Sequence, residues 1–295
     1  MYPVVVSGER ASDDSRLQRQ LARRCRQALN QRSRVARRGD PRGVHDLRVA
    51  TRRLQELLVF LQPALSPRPG KRLIRRARRI RRALGQIRNV DVMRDLVERY
   101  ARRLSKDRRR SLKPLIERLA QQARALRQAN GDGRGLKVPS LRKRIVAVRA
   151  RLRRPEGFST VRRGREILVS RIESLKDRLP AARSGRPEAM HALRIAIKRY
   201  RYSMEILQLA GIRQTRPCLL AARILQTELG KLHDLDILIA LVRDKAGPAA
   251  SRALLPGLRV ERRERLRKVS GIIERFEPTA ALEMIDQLLA KEEAA

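Results

Sequence analysis

The sequence is poor in aromatic residues and cysteine, and each shortage excludes a class of protein. Its 295 residues include no Trp, four Tyr and three Phe, whereas proteins that read RNA or single strands need aromatic side chains on which bases stack. Two cysteines, Cys25 and Cys218, make neither a disulfide framework nor a zinc site, so we expect a reduced, cytoplasmic protein with no metal or other cofactor. No uncharged apolar run reaches the roughly 18 residues of a membrane span.

Acidic residues are also scarce, and arginine is in excess. The chain contains 61 Arg and 11 Lys against 30 acidic residues, which gives a net charge of +42. A soluble domain needs a net charge of only about 2 to 8, so the excess predicts a polyanionic ligand. The guanidinium group binds phosphate oxygens in pairs, and the lack of aromatic residues favours phosphate without bases. Non-specific binding of nucleic acid remains an alternative.

Apolar residues recur at helical spacing along almost the whole chain, and strand-like alternation is confined to Val4–Val6. The sequence therefore predicts an all-α fold. Helices are predicted at about 45–62, 71–86, 89–104, 108–128, 139–153, 158–179, 187–209, 214–230, 232–245, 251–275 and 279–293.

Two motifs occur twice in the same order. The stretch Val44–Leu54 matches Met190–Tyr200 at an offset of 146 residues, and Leu84–Val92 matches Leu229–Ile237 at an offset of 145. This pattern indicates a tandem duplication, with a boundary near Pro155. Residues 1–155 would form a strongly basic first helical repeat with a net charge of +33, and residues 156–295 a second repeat with +9. We expect the repeats to pack about a pseudo-twofold axis and to share a cleft.

The first motif pair places basic side chains opposite an apolar seam. On a helix of about 100° per residue, His45, Arg48 and Arg52 share one stripe. The second copy repeats it with His191, Arg194 and Lys198, and Arg201 joins the stripe. Recurrence favours phosphate contacts over an ordinary solvated face. For the histidines, local capping and metal ligation remain alternatives to phosphate binding.

The second motif pair and the helix before it supply further candidates. His233 stands where the first copy has Arg88, an exchange that suits a phosphate contact better than a metal ligand. A continuous basic ladder precedes Arg88, and its members are Lys71, Arg75, Arg78 and Arg82. Arg223 is the basic counterpart of Arg78 in the second copy. Gly85 and Gly230 are expected to end helices or to allow close packing, and Asn89 and Asp234 to cap the helices that follow.

These motifs resemble those of the CHAD family, the conserved histidine α-helical domain. The resemblance rests on the segments that begin at His45, His191 and Leu229 and covers about residues 10–290. It implies two helical bundles around a basic central groove and non-catalytic binding of inorganic polyphosphate, with possible location at polyphosphate granules. His45, Arg48, Arg52, His191, Arg194 and Lys198 would line the groove. A metal-dependent phosphohydrolase of the HD type, built on His233, Asp234 and Asp236 with His45 or His191, is the enzymatic alternative.

Overall fold

The computed structural model describes residue 23 and residues 41–64, 67–129, 159–209 and 211–294. Every element in these ranges is helical, which confirms the predicted all-α fold class. Val4–Val6, the predicted helix at 139–153 and the predicted repeat boundary near Pro155 lie outside the described residues. No described helix combines the length and apolar character that a membrane crossing requires.

The first half of the described chain is built on a pair of packed helices. Helix α1 spans Pro41–Phe60 and is joined through a short 3-10 helix, Gln62–Ala64, to the long helix α2 at Pro67–Ala101. The short α3, Lys106–Arg110, leads to α4 at Lys113–Ala129, and α4 packs against α2. Both α1 and α2 begin with proline, whose fixed φ and missing N–H suit the first helical position.

The second half repeats this order of neighbours after an additional helix. Helix α5 spans Thr160–Lys176 and begins where the Ser159 hydroxyl accepts a hydrogen bond from the backbone N–H of Arg162 at 3.2 Å. The remaining elements are α6 (Leu179–Ala182), α7 (Pro187–Leu209), a 3-10 helix (Arg213–Thr215), α8 (Arg216–Lys245), α9 (Pro248–Glu274) and α10 (Ala280–Ala294). Helix α8 packs against both α7 and α9, as α2 packs against α1 and α4.

The predicted breaks after Gly85 and Gly230 are wrong, because α2 and α8 each continue through these positions. Neither glycine has a positive φ, so neither closes a helix. Asn89 and Asp234 consequently lie inside helices and cap nothing. The other expected role, close packing, is the one that the structure shows, since a basic side chain from the neighbouring helix passes over each glycine, as described below.

The long helices α2 and α8 connect two apolar cores. Their first halves, up to Ile87 and Leu232, pack into a large core shared with α1, α5, α7 and α10. Their second halves, from Val90 and Leu235 onwards, pack into a smaller core with α4 and α9. The second motif pair therefore lies where each long helix passes from one core to the other.

Candidate anion-binding site

Basic side chains from both copies of the motifs meet where the two helix pairs contact each other. Helix α1 packs against α7, and α2 packs against α8. The side chains that interact electrostatically across this junction form what we call the basic cluster, which comprises His45, Arg48, Arg52, Arg81, Arg88, His191, Arg194, Lys198 and His233. Four separate helices contribute to it.

Lys198 shows how strongly the members of the cluster repel each other. Burial lowers the pKa of its ammonium group, and the charges of Arg194, Arg52, Arg48 and Arg81 lower it further, from 10.5 to about 6. Burial likewise lowers the pKa of Arg52 to about 10. Burial and the excess of positive over negative side chains around Lys198 thus both disfavour its charged form.

The histidines occupy matching places in the two copies. His45 lies beside Arg88, and burial together with the charge of Arg88 lowers its pKa. His191 lies beside His233, which takes the place of Arg88, and the Nδ1 atoms of the two rings are 3.3 Å apart. Burial and Arg194 lower the pKa of both rings, that of His233 to about 4. Each of the three rings therefore holds its proton less tightly than a free imidazole.

Each motif glycine makes room for a motif arginine. A Cβ atom at Gly85 would lie 2.8 Å from Nη1 of Arg48, and one at Gly230 would lie 3.9 Å from Nε of Arg194. The guanidinium groups thus cross the neighbouring helix at the equivalent position in both copies. Nε of Arg194 and Nε of Arg52 are buried and find no hydrogen-bond partner among the described residues. Such unpaired buried donors are costly, and an anion would satisfy them.

Tyr202 is an aromatic residue in contact with the basic cluster that the sequence analysis did not single out. Its ring is buried and lies 5.2 Å from the guanidinium carbon of Arg52 and 4.2 Å from that of Arg201. Arg201 is itself held by Gln226 at 2.6 Å and by Glu205. Tyr202 therefore contacts Arg52 through a cation–π interaction, and Arg201, which is held by Gln226 and Glu205, contacts the same ring.

The structure places the other predicted residues outside the cluster. Arg201 is nearly buried and its charge is matched by Glu205, which also lies 3.5 Å from Arg223. The predicted ladder residues on α2 are exposed; these are Lys71, Arg75, Arg78 and Arg82. The residue of α2 that lies beside Arg48 and Lys198 is instead Arg81, which was not among the candidates.

Helix geometry explains why Arg81 was missed. The prediction selected side chains opposite the apolar seam of α2, at about 140° to 200° from Leu73. Arg81 and Arg88 lie about 80° and 60° from Leu73, on the flank of the seam. Residues on the flank point into the cleft when two helices pack, as Arg48 does at about 100° from Leu47. The position of Arg48 on the flank of its own seam was the available signal, although Arg52, at about 140° from Leu47, joins the cluster as well.

The acidic residues of the second motif have basic partners. Asp91 on α2 accepts a hydrogen bond from Arg127 of α4 at 2.7 Å, and Asp236 on α8 pairs with Arg262 of α9. These two ion pairs occupy equivalent positions and connect α2 to α4 and α8 to α9. Asp234 lies among Arg194 and other arginines, although burial raises its pKa. No group of three His, Cys, Asp or Glu in the described ranges is arranged to hold a metal ion.

Comparison with known proteins identifies the family of this chain. The family model described as "CHAD domain" matches residues 19–243. The chain belongs to the CHAD family. Both motif pairs of this CHAD domain lie inside the matched region, and so does every member of the basic cluster. No curated protein matches the chain.

Solved structures share the fold of this CHAD domain. One is the crystal structure of the CHAD domain from the plant Ricinus communis, with a TM-score of 0.59 and 21% identity over 92% of this chain and 91% of the other. Another is PptA from Streptomyces chartreusis, with a TM-score of 0.60 and 14% identity over 88% of this chain and 97% of the other. At these identities the likeness concerns the fold alone.

Proposed function

We propose that this CHAD domain binds inorganic polyphosphate, without catalysing a reaction on it, in a basic groove formed by the two motif copies. The copies would be related by a pseudo-twofold axis, so that a chain of identical phosphate units meets similar side chains on both sides. Association with polyphosphate granules would follow from such binding and stays a prediction, as does the assignment of the repeats to residues 1–155 and 156–295.

The observation that carries the proposal is the unbalanced charge of the basic cluster. Lys198 lies among four arginines, and its pKa falls to about 6. Nε atoms of Arg52 and Arg194 are buried without a described hydrogen-bond partner. A structural role alone would favour removing these charges, since buried like charges destabilise a fold. An anion with many oxygens supplies both the charge and the hydrogen-bond acceptors that the cluster needs.

The chemistry of the site favours polyphosphate over the alternatives. Nucleic acid would bring bases as well as phosphates, whereas the tyrosine ring against the cluster, Tyr202, is buried and not available as a platform for a base. A metal-dependent hydrolase of the HD type needs carboxylates that are free to bind the ion. Here Asp236 pairs with Arg262, and Asp234 lies among arginines.

A titration with long-chain polyphosphate at several salt concentrations tests the proposal. Affinity should fall steeply with salt because binding releases counterions. Arg48→Gln and Arg52→Gln should each weaken binding by about five-fold to 150-fold, as expected for charge-assisted hydrogen bonds of about 1 to 3 kcal/mol. Arg259→Gln, which removes an exposed charge from α9, is the matched control and should change the affinity less than two-fold.

Two outcomes would contradict the proposal. If all three substitutions weaken binding alike, the ligand is held by the general positive field and not by the cluster. If duplex DNA displaces polyphosphate at equal phosphate concentration, the protein is a general polyanion binder. The absence of catalysis is tested separately by incubating polyphosphate with the protein and Mg²⁺ or Mn²⁺; release of inorganic phosphate above the protein-free rate would show an enzyme.

A further inference from the structure

The first half of α2 carries an exposed basic surface next to the basic cluster. We call it the α2 ladder, and it consists of Lys71, Arg72, Arg75, Arg78, Arg79 and Arg82, all of which are exposed. No member forms an ion pair with a carboxylate of the described residues. Elsewhere on the surface, arginines do find acidic partners, such as Arg94 with Glu98 and Arg165 with Asp286. The α2 ladder therefore leaves its charge available to a ligand.

The α2 ladder is continuous with the basic cluster. Arg81 belongs to the cluster; burial lowers its pKa most, the nearby carboxylate of Glu56 raises it, and the neighbouring charge of Arg78 lowers it. Arg81 in turn acts on Lys198 at the centre of the site. From Lys71 to Arg82 the helix rises about 16 Å. Positive charge thus extends from the cluster along one helix without interruption.

The equivalent surface on α8 is different. At the offset of 145 residues, Leu220 and Ile224 replace Arg75 and Arg79, and Thr227 replaces Arg82. Leu220 is 58% exposed and Ile224 is 51% exposed, so apolar side chains face solvent where the first copy has arginine. The basic residue left at the equivalent of Arg78 is Arg223, which lies 3.5 Å from a carboxylate oxygen of Glu205. A polyanion that leaves the cluster in this direction would meet fewer basic side chains than on α2, namely Arg223 with its carboxylate neighbour and then Arg216 at the equivalent of Lys71.

We propose that a polyphosphate chain held in the basic cluster continues along the α2 ladder and not along α8, so that the ladder selects long chains over short ones. The inference rests on the proposed function. A short anion such as tripolyphosphate can fill only part of the cluster, whereas a long chain gains the additional contacts of the ladder. Each exposed contact contributes little, but several contacts on one tethered chain add up because their entropy of association has already been lost.

The experiment compares tripolyphosphate with long-chain polyphosphate on two variants of the full chain. The ladder variant combines Arg75→Gln, Arg79→Gln and Arg82→Gln. The control variant removes the same charge from exposed positions on α9 with Arg252→Gln, Arg259→Gln and Arg267→Gln. Both variants substitute exposed residues, and thermal melts confirm that they remain folded.

The ladder variant should lose about ten-fold in affinity for the long chain and less than two-fold for tripolyphosphate. For the long chain, the slope of log affinity against log salt should become shallower by about 2, since each lost contact on a single-stranded polyanion removes about 0.7. The control variant should keep the wild-type ratio between long and short ligand. Equal losses in both variants, or a ladder variant that weakens both ligands equally, would overturn the inference. A wild-type protein that binds neither ligand would instead refute the proposed function itself.

Discussion

Binding of polyphosphate should be coupled to the uptake of a proton by Lys198. In the free protein the pKa of Lys198 is about 6, because burial and then four arginines disfavour its charged form. At pH 8 the ammonium group is therefore almost entirely deprotonated. A bound polyanion neutralises the arginines and favours the charged form, which returns the pKa toward its ordinary value of 10.5.

The size of the effect follows from these two pKa values. Between them, the bound protein holds about one proton more than the free protein, so the affinity should fall about nine-fold from pH 7 to pH 8 and about fifty-fold from pH 6 to pH 8. The sign is opposite for folding. The unfolded chain binds the proton more tightly than the free folded protein, so this lysine destabilises the fold below pH 6 and the cost disappears as the pH rises toward 10.5.

Isothermal titration calorimetry at pH 7.5 measures the proton directly. Repeating the titration in two buffers with different ionisation enthalpies should give an uptake of about one proton per site occupied. Long polyphosphate is the ligand of choice, because its internal groups stay ionised and its chain ends are few.

The matched variant is Lys198→Arg, which copies the residue found at this place in the first motif. The pKa of Arg52 is about 10 even after burial, so an arginine at position 198 should stay charged, bind without proton uptake and remove the slope between pH 7.5 and pH 9. The double variant His45→Gln and His191→Gln should keep that slope, since burial lowers the pKa of both rings below 6.5. A wild-type affinity that is flat from pH 7.5 to pH 9, or an arginine variant with the full slope, would refute the reasoning.

Three further predictions concern the geometry of the site and its support. Arg81→Gln should weaken tripolyphosphate binding about ten-fold, whereas the exposed neighbour Arg82→Gln should leave it within two-fold in the same titration. Gly85→Ala should weaken binding because its Cβ would displace the Arg48 guanidinium, while Gly230→Ala should keep the affinity and raise the melting temperature through better helix propensity; titrations and thermal melts measure both. Burial would raise the pKa of Glu228, but hydrogen bonds from Lys231 and Arg265 lower it to about 2, so Glu228→Gln should melt below wild type at pH 7, and the difference should vanish as the pH falls from 4.5 to about 2.

The repeated motifs made much of the site predictable. The match between the copies identified His45, Arg48 and Arg52 together with their counterparts on α7, and the structure brings these side chains together. Periodicity also predicted the helical class, because apolar spacing of three and four residues needs no knowledge of tertiary contacts. What a single helix and its repeat reveal was therefore accessible from the sequence.

Features that depend on the packing between helices were not accessible. Gly85 suggested a helix end, yet it lies inside α2. The absence of a Cβ atom there leaves room for the guanidinium group of Arg48 from the adjacent helix. Arg201 shared the angular position of the basic stripe, but the buried carboxylate of Glu205 pairs with it. Arg81 was passed over for side chains that point directly into solvent. For Gly85 and Arg81 the neighbour that decides the role lies on another helix, whereas Glu205 lies one turn after Arg201 on α7 itself.

The large core has a consequence for how the chain is made. It unites Val44 and Leu47 near the beginning of the described chain with Phe276 and Ile285 near its end. On the ribosome, the apolar face of α1 therefore emerges long before α7 exists to cover it, and contacts at such sequence separation form slowly. Helices from both ends of the described chain therefore complete one shared interior, and α1 cannot bury its apolar face without α7.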